Sequence, residues 1–316
     1  MFTDEHDLSQ DQVADLTRLA KGMRVVVSRD ADRVDPRDVE ILAGWFDAPI
    51  LLSLPNLRWG QHWAAGVDRL TSDAAVKAKD FLLTNGSGIH GVQMTEHIFG
   101  LLLSLARDLH NASRRQLAHQ WLTPAFSTGS PVWELAGKTM LLVGVGAIGS
   151  RTATLAEAFG MRVIGVRRDP TQWAPGVDDM VGSDQLLAVL PKADVVVLTV
   201  PLTPATHGMI GEAELRAMKP NAVLINVGRG GTVRKEVLVR ALREGWIGGA
   251  GLDVVDPEPL PQDSPLWDMD NVIITSHYAG HTPEYTGRAM TLFLDNLLRF
   301  QEGRPLLSRV SMDLGY

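Results

Sequence analysis

Three short segments in the second half of the chain hold the residues best suited to chemistry. NVGRGG carries Arg229, LDVVDPEPLP carries Asp253 and Glu258, and TSHYAGHTPE carries His277 and His281. In chain order they supply a cation, a carboxylate and an imidazole. Histidine exchanges a proton close to neutral pH, and a carboxylate beside it favours the charged form. The planar fork of arginine bonds a carboxylate and a carbonyl together, which lysine does less well. Taken singly, each residue has a plainer reading: a solvated loop arginine, a turn-capping glutamate, a satisfied polar histidine. Each segment also follows an apolar run that reads as a strand, and open α/β sheets bind their ligands at the C-terminal ends of strands.

What must position these groups is read from the stretch Thr139 to Pro170, TMLLVGVGAIGSRTATLAEAFGMRVIGVRRDP. Met140 to Val143 suits a buried parallel strand, Ala147 to Phe159 has helical periodicity, and Arg162 to Val166 resumes an apolar strand. Between the first two lies a G-x-G-x-x-G turn of the kind that holds a dinucleotide. Gly144 permits the tight turn, Gly146 lets the backbone approach a pyrophosphate, and Gly149 lets the helix pack on the sheet. The pyrophosphate is then expected on the N-terminus of that helix, at Ala147 and Ile148.

Downstream, Asp194 to Val200, Ala222 to Val227, Gly249 to Val254 and Asn271 to Thr275 read as strands. Helices are expected around Ser183 to Leu190, Gly211 to Met218 and Val233 to Glu244. The alternation predicts a doubly wound parallel sheet. The N-terminal third repeats it on a smaller scale, with strands expected at Met23 to Ser28, Ile50 to Ser53 and Phe81 to Thr84 and helices near Asp35 to Leu42 and Ala74 to Lys79. A long helix is expected from about Val92 to Asn111, with Leu101, Leu102, Leu105 and Leu109 on one stripe. A last helix is expected over Glu284 to Glu302. The segment from Gln116 to Glu134 has no clear periodicity and contains Pro124, Gly129 and Pro131. It reads either as a surface loop or as an arm to a second subunit.

Length and charge bound the function. With 316 residues, 45% hydrophobic and 21% charged, the chain has the composition of a soluble globular protein of about two domains. A formal net charge of -7 without basic runs argues against nucleic acid. With no cysteine, thiol nucleophiles and cysteine metal sites are excluded, and no metal is expected. The acidic start, MFTDEHDLSQDQ, lacks the pattern of a secretory signal, and no apolar run approaches a membrane span. A cytoplasmic location is the expectation.

As a set, GVGAIG, TVPLTPATHGMI, NVGRGG, GLDVVDPEPL, SHYAGHT and, near the N-terminus, AAGVD at Ala64 to Asp68 resemble the successive motifs of the D-2-hydroxyacid dehydrogenase family. The resemblance implies a glyoxylate or hydroxypyruvate reductase-like, NAD(P)-dependent enzyme that reduces a small 2-oxo acid (glyoxylate, hydroxypyruvate or pyruvate-like) to the D-2-hydroxy acid by hydride transfer. It also implies an α/β fold of two domains: a doubly wound Rossmann domain (93–287) inserted into a smaller flavodoxin-like substrate domain (1–92 plus 288–316). Residues 93–137 would form the interdomain helix and dimerisation arm of a homodimer. Arg229 would grip a small 2-oxo acid, His277 would be the general acid and base, and Glu258 would hold the imidazole and raise its pKa. Ala65 and Gly66 would offer backbone N–H groups to the substrate carboxylate. Pro201, Val227, Gly228, Asp253 and Gly280 would border the cofactor. Trp59 and Trp63 flank the AAGVD turn and read either as pocket walls or as core, while Trp133 resembles an aromatic inserted into a neighbouring subunit. Ser276 stands where many relatives have proline, and His281 reads as a helix-entry residue. A phosphoglycerate dehydrogenase-like enzyme and a corepressor-like cofactor sensor are the alternatives.

The end of the second strand speaks to the cofactor. NAD-preferring folds usually place there an acid that bonds the ribose hydroxyls, and in the family pattern this chain has Arg167 instead. Arg167 and Arg168 suit the extra phosphate of NADP(H). The alternative is NAD(H), with Asp169 on the ribose.

Overall fold

The computed structural model describes residues 2–3, 8–27, 34–123 and 130–316. The chain divides into two compact units, 1–90 with 282–316 and 91–281.

The larger unit is built on seven parallel strands. Numbered in chain order after the four of the smaller unit (β1–β4), they are β5 (Thr139–Val143), β6 (Arg162–Arg167), β7 (Asp179–Gly182), β8 (Val195–Leu198), β9 (Val223–Asn226), β10 (Gly249–Leu252) and β11 (Val272–Ile274). Their spatial order is β11-β10-β9-β8-β5-β6-β7. The order reverses between β5 and β8, and such a switch point opens a crevice at the strand ends where ligands bind. The strands are apolar along their whole length because both faces are covered: Met140, Leu142, Val195 and Val197 face one core, Leu141, Val196, Leu198 and Leu224 the other. The strands read from the sequence downstream of the glycine turn are all present, with ends shifted by one or two residues. β7, which has no long apolar run, was not foreseen.

The long helix of this unit differs from expectation. It runs over Gly91–Ala106 and restarts as Leu109–Leu117, because Asp108 takes a left-handed conformation, φ 55°. Aspartate tolerates that region better than most residues, and its carboxylate accepts hydrogen bonds from Asn111 and Arg115 in the new helix. Leu101, Leu102 and Leu105 are buried, but Leu109, beyond the break, is half exposed.

The smaller unit holds four parallel strands in the order β1-β2-β3-β4: β1 (Phe2–Thr3), β2 (Ile41–Gly44), β3 (Trp59–His62) and β4 (Leu82–Thr84). Here the sequence reading needs three corrections. The segment expected as a helix near Asp35 to Leu42 is a single turn over Pro36–Asp38, capped by Asp35, followed by β2. The strand expected at Ile50 to Ser53 is the helix Ala48–Leu52, started by the Asp47 carboxylate, which accepts from the Ile50 N–H, and by Pro49 in its first turn. No strand forms at residues 23–27, since the edge of β2 away from β3 is paired with β1; Ser28 lies outside the described residues. The last helix, Tyr285–Gln301, belongs to this unit and buries Tyr285, Phe293 and Leu297.

Candidate active site

The glycine turn after β5 has the mechanics its motif demands. Gly144 has φ 101°, and a Cβ there would lie 2.9 Å from the Thr199 hydroxyl. A Cβ at Gly149 would lie 2.2 Å from the Gly144 carbonyl oxygen, so only glycine lets the helix Ala147–Ala158 start this close to the strand. Gly146, in contrast, faces open space on its Cβ side, and no side chain caps the helix that begins at Ala147. The first N–H groups of that helix, at Ala147 and Ile148, therefore point at room for an anion. Across the switch point, Pro201 follows β8, and its carbonyl accepts from Thr206. Val227 and Gly228 follow β9; Val227 is buried, leaving only its backbone to border a ligand. A Cβ at Gly228 would meet the Val200 carbonyl at 2.7 Å, which ties the β9 turn to the β8 turn.

At the end of β6 the expected acid is replaced by arginines. Arg167 Nη1 donates to the Gln172 carbonyl at 3.2 Å, and Arg168 is exposed. Asp169 is committed to its own turn. Its carboxylate accepts from the Thr171 N–H, the Thr171 hydroxyl and the Gln172 amide. The Thr171 hydroxyl bond, first among these, holds that carboxyl below its usual pKa.

The reacting groups gather at the ends of β9, β10 and β11. Arg229 sits in the turn after β9, shaped by the buried Asn226, whose amide donates to the Arg229 carbonyl and whose oxygen accepts from the Gly228 N–H. The Arg229 Nη1 donates to the Gly228 carbonyl at 2.8 Å, which folds its side chain back along the turn. A Cβ at Gly230 would lie 2.0 Å from the Val255 carbonyl oxygen, so this turn abuts the loop that leads to Glu258.

Glu258 Oε2 lies 2.7 Å from His277 Nδ1, and Glu258 Oε1 accepts from the Val255 N–H. A carboxylate can only accept, so Nδ1 carries the hydrogen, and Nε2 is the ring nitrogen left to exchange a proton. His277 itself has φ 56°, the left-handed region that few residues other than glycine adopt. It is held there by its N–H bond to the Asp253 carbonyl at 2.8 Å.

Asp253 is buried, and its carboxylate accepts from the Thr275 hydroxyl and from the N–H groups of Tyr278 and Ala279. It binds the two sides of the His277 loop together by these three accepted hydrogen bonds. His97, in the helix Gly91–Ala106, completes this cluster: its Nε2 lies 2.9 Å from the Thr275 hydroxyl and 3.6 Å from Asp253. Burial lowers the His97 pKa, opposed by the Asp253 charge. Asn226, His97 and Thr275 were not among the residues singled out from sequence. Polar residues inside otherwise apolar strands and helices were the available signal. Gly280 accepts from the Gln93 amide at 3.3 Å, and His281 is exposed beyond it.

The AAGVD turn belongs to the smaller unit. The carbonyls at its start are taken: that of Trp63, just before the turn, accepts from the Tyr285 hydroxyl, that of Ala64 from the Gly86 N–H and that of Ala65 from the Asn85 amide. Its N–H groups are treated differently. Ala64 donates to His62 Nδ1 at 3.0 Å, whereas Ala65 and Gly66, both half-buried, donate to no acceptor among the described residues. Trp59 and Trp63 are core, 0% and 1% exposed, packed on Phe293. Trp133 packs on the core of its own unit, with its N–H on the Ala106 carbonyl. Of the segment around it, Pro124 and Gly129 lie outside the described residues.

Residues 99–279 match the family model of the D-isomer specific 2-hydroxyacid dehydrogenase, NAD binding domain. The chain belongs to this family. It is therefore an NAD(P)-dependent 2-hydroxyacid dehydrogenase, and its relatives include glyoxylate reductases. That of Korarchaeum cryptofilum is 34% identical over 285 residues, covering 89% of this chain and 83% of the relative. Among solved structures, the D-isomer specific 2-hydroxyacid dehydrogenase of Xanthobacter autotrophicus Py2, in complex with NADPH and MES, is 30% identical. Its TM-score is 0.85, and the match covers 100% of this chain and 98% of that one. The NADPH-dependent glyoxylate/hydroxypyruvate reductase of Sinorhizobium meliloti, in complex with NADP and sulfate, is 27% identical with a TM-score of 0.84, covering 100% of this chain and 99% of that one. In this dehydrogenase no helix among the described residues is long and apolar enough to cross a membrane.

Proposed function

We propose that this dehydrogenase reduces a small 2-oxo acid, glyoxylate or hydroxypyruvate, to the D-2-hydroxy acid in the cytoplasm, with NADPH preferred to NADH. The observation that carries the reading is the 2.7 Å pair of Glu258, in the loop after β10, and His277, after β11, whose own backbone is held in the left-handed region. The cofactor, when bound, supplies a hydride to the carbonyl carbon. Negative charge then grows on the carbonyl oxygen, and His277 donates its Nε2 proton to that oxygen as the charge develops. Glu258 fixes the imidazole by its Nδ1 hydrogen and compensates the positive charge that the ring carries before donation. Arg229 bonds the substrate carboxylate and carbonyl, and the N–H groups of Ala65 and Gly66 are donors to the carboxylate. Arg167 and Arg168 hold the 2′-phosphate of the cofactor, a role supported by Asp169 being closed in its own turn. The Gly144–Gly149 turn holds the pyrophosphate, with Pro201, Val227, Gly228 and Gly280 bordering the nicotinamide side.

A homodimer is part of the same reading. Leu117, which ends the helix Leu109–Leu117, and Trp121 and Leu122 in the segment after it are 85%, 96% and 64% exposed, apolar side chains that a second copy would cover.

The test is oxidation of NADPH and of NADH by a panel of 2-oxo acids, with Arg229→Ala and His277→Ala as controls. Turnover of glyoxylate or hydroxypyruvate that both substitutions abolish is expected. Absence of turnover on every acid would point instead to a cofactor-sensing role and end the proposal.

A further inference from the structure

The AAGVD turn is hydrogen-bonded to a histidine outside the reacting groups. His62 ends β3, is 8% exposed, and sits edge-on against Trp45 and Phe46, with ring centroids 5.5 and 4.9 Å away. Its Nδ1 accepts the Ala64 N–H at 3.0 Å. An imidazole nitrogen that accepts carries no hydrogen, so His62 is the neutral tautomer with its hydrogen on Nε2. That bond turns the Ala64 N–H inward, while the carbonyls of Trp63, Ala64 and Ala65 are each anchored by a different partner: Tyr285, Gly86 and Asn85. The turn is thus held at every polar backbone atom from the Trp63 carbonyl to the Ala65 carbonyl except the Ala65 N–H. The next donor, the Gly66 N–H, is likewise without an acceptor among the described residues.

We infer that His62 is a positioning residue for substrate binding: by accepting the Ala64 N–H it sets the turn so that the Ala65 and Gly66 N–H groups are presented together to the substrate carboxylate. This rests on the proposed role of those two groups. A preorganised pair of donors binds an anion without the cost of ordering the loop. The effect acts on substrate affinity, because the donors contact a carboxylate whose charge is the same before and during reduction.

Two variants separate this role from a merely structural one. His62→Leu removes the acceptor and keeps an apolar side chain between Trp45 and Phe46. His62→Asn keeps an acceptor oxygen near the position of Nδ1. For His62→Leu we expect KM for glyoxylate to rise about tenfold, the equivalent of ~1.4 kcal/mol, with kcat within about twofold and NADPH affinity unchanged. His62→Asn is expected to restore KM to within about twofold of the parent. In parallel, the 15N amide signals of Ala65 and Gly66 in the parent protein loaded with NADP+ are followed on addition of oxamate, which carries the carboxylate and carbonyl of a 2-oxo acid. If those two signals do not move, the carboxylate reading of the turn falls. If they move and a folded His62→Leu keeps the parent KM, or His62→Asn raises KM as much as His62→Leu, the role of His62 is overturned while the reading of the turn stands.

Discussion

Burial of His62 makes the smaller unit sensitive to acid, and the size of the effect follows from its surroundings. Packed between Trp45 and Phe46 and 8% exposed, the imidazole is pushed by burial from 6.5 down to about 4. The folded state therefore resists a proton that the unfolded chain accepts. Because the folded pKa is the lower one, the unfolded state binds more protons between the two values, and stability rises with pH there. The contribution is complete above about pH 6.5 and drains away as pH falls towards 4. Lowering the pH by one across this window costs the folded state about 1.36 kcal/mol, so between pH 7 and pH 4.5 this one group withdraws ~2.5 kcal/mol from it. That is a large share of the roughly 5–15 kcal/mol typical of a domain. His62→Asn removes the titration. Urea unfolding of both proteins, followed by the fluorescence of the buried Trp59 and Trp63, should show the stability difference between them shifting by ~2.5 kcal/mol in favour of the variant from pH 7 to pH 4.5. Carboxylates and other histidines titrate alike in both proteins and cancel in the comparison. Equal pH dependence in the two would refute the assignment of a neutral, buried imidazole.

Other outcomes follow from the same geometry. Arg229→Lys should lower kcat/KM for glyoxylate by about 10- to 100-fold, since a point charge replaces a planar fork worth roughly 1.5–3 kcal/mol in a charged hydrogen bond; unchanged efficiency in steady-state assays would remove Arg229 from the substrate. Arg167→Asp should shift the ratio of catalytic efficiencies from NADPH towards NADH by about tenfold or more, reflecting lost pairing with the phosphate, and an unmoved ratio would leave the phosphate to other groups. Asp253→Asn replaces one acceptor by a donor opposite the N–H groups of Tyr278 and Ala279. A drop in thermal midpoint accompanied by a loss of kcat is expected, corresponding to ~1–3 kcal/mol for an unsatisfied buried group; a variant that changes only cofactor affinity would place Asp253 at the cofactor instead. Gly230→Ala, whose Cβ would overlap the Val255 carbonyl, should yield little folded protein, judged by circular dichroism and soluble expression.

Much of the larger unit was legible because its signals are local. A parallel strand buried on both faces must be apolar throughout, so β5, β8 and β9 announce themselves. Glycines required by close approach, at 144, 149, 228 and 230, sit at fixed spacings in the chain. Arg229, Glu258 and His277 stand in segments whose composition marks them as strand-end loops, and the replacement of an acid by Arg167 is visible at a single position.

The smaller unit was harder because its decisive contacts are remote in sequence. β3 reads WGQH, which has no strand pattern. It is a strand because Gln61 can be buried: its side-chain oxygen accepts from Thr84 and from Asn296, 235 residues away, and its amide donates to the Asn85 carbonyl. The helix Ala48–Leu52 carried a readable start in Asp47 and Pro49, yet its five residues look equally like a buried strand, and packing chose between them. The same holds within the active site. The types of the reacting groups are fixed by the chain, whereas the tautomer of His277, the inward commitment of Asp253 to Thr275, Tyr278 and Ala279, and the neutral state of His62 follow from hydrogen bonds and burial that exist only once distant segments meet. Sequence determines which side chains are available for chemistry, because that is set by spacing along one strand end or turn. The tertiary structure decides which of their atoms are already spent, because an acceptor or a donor is consumed by whichever partner the fold brings within about 3 Å.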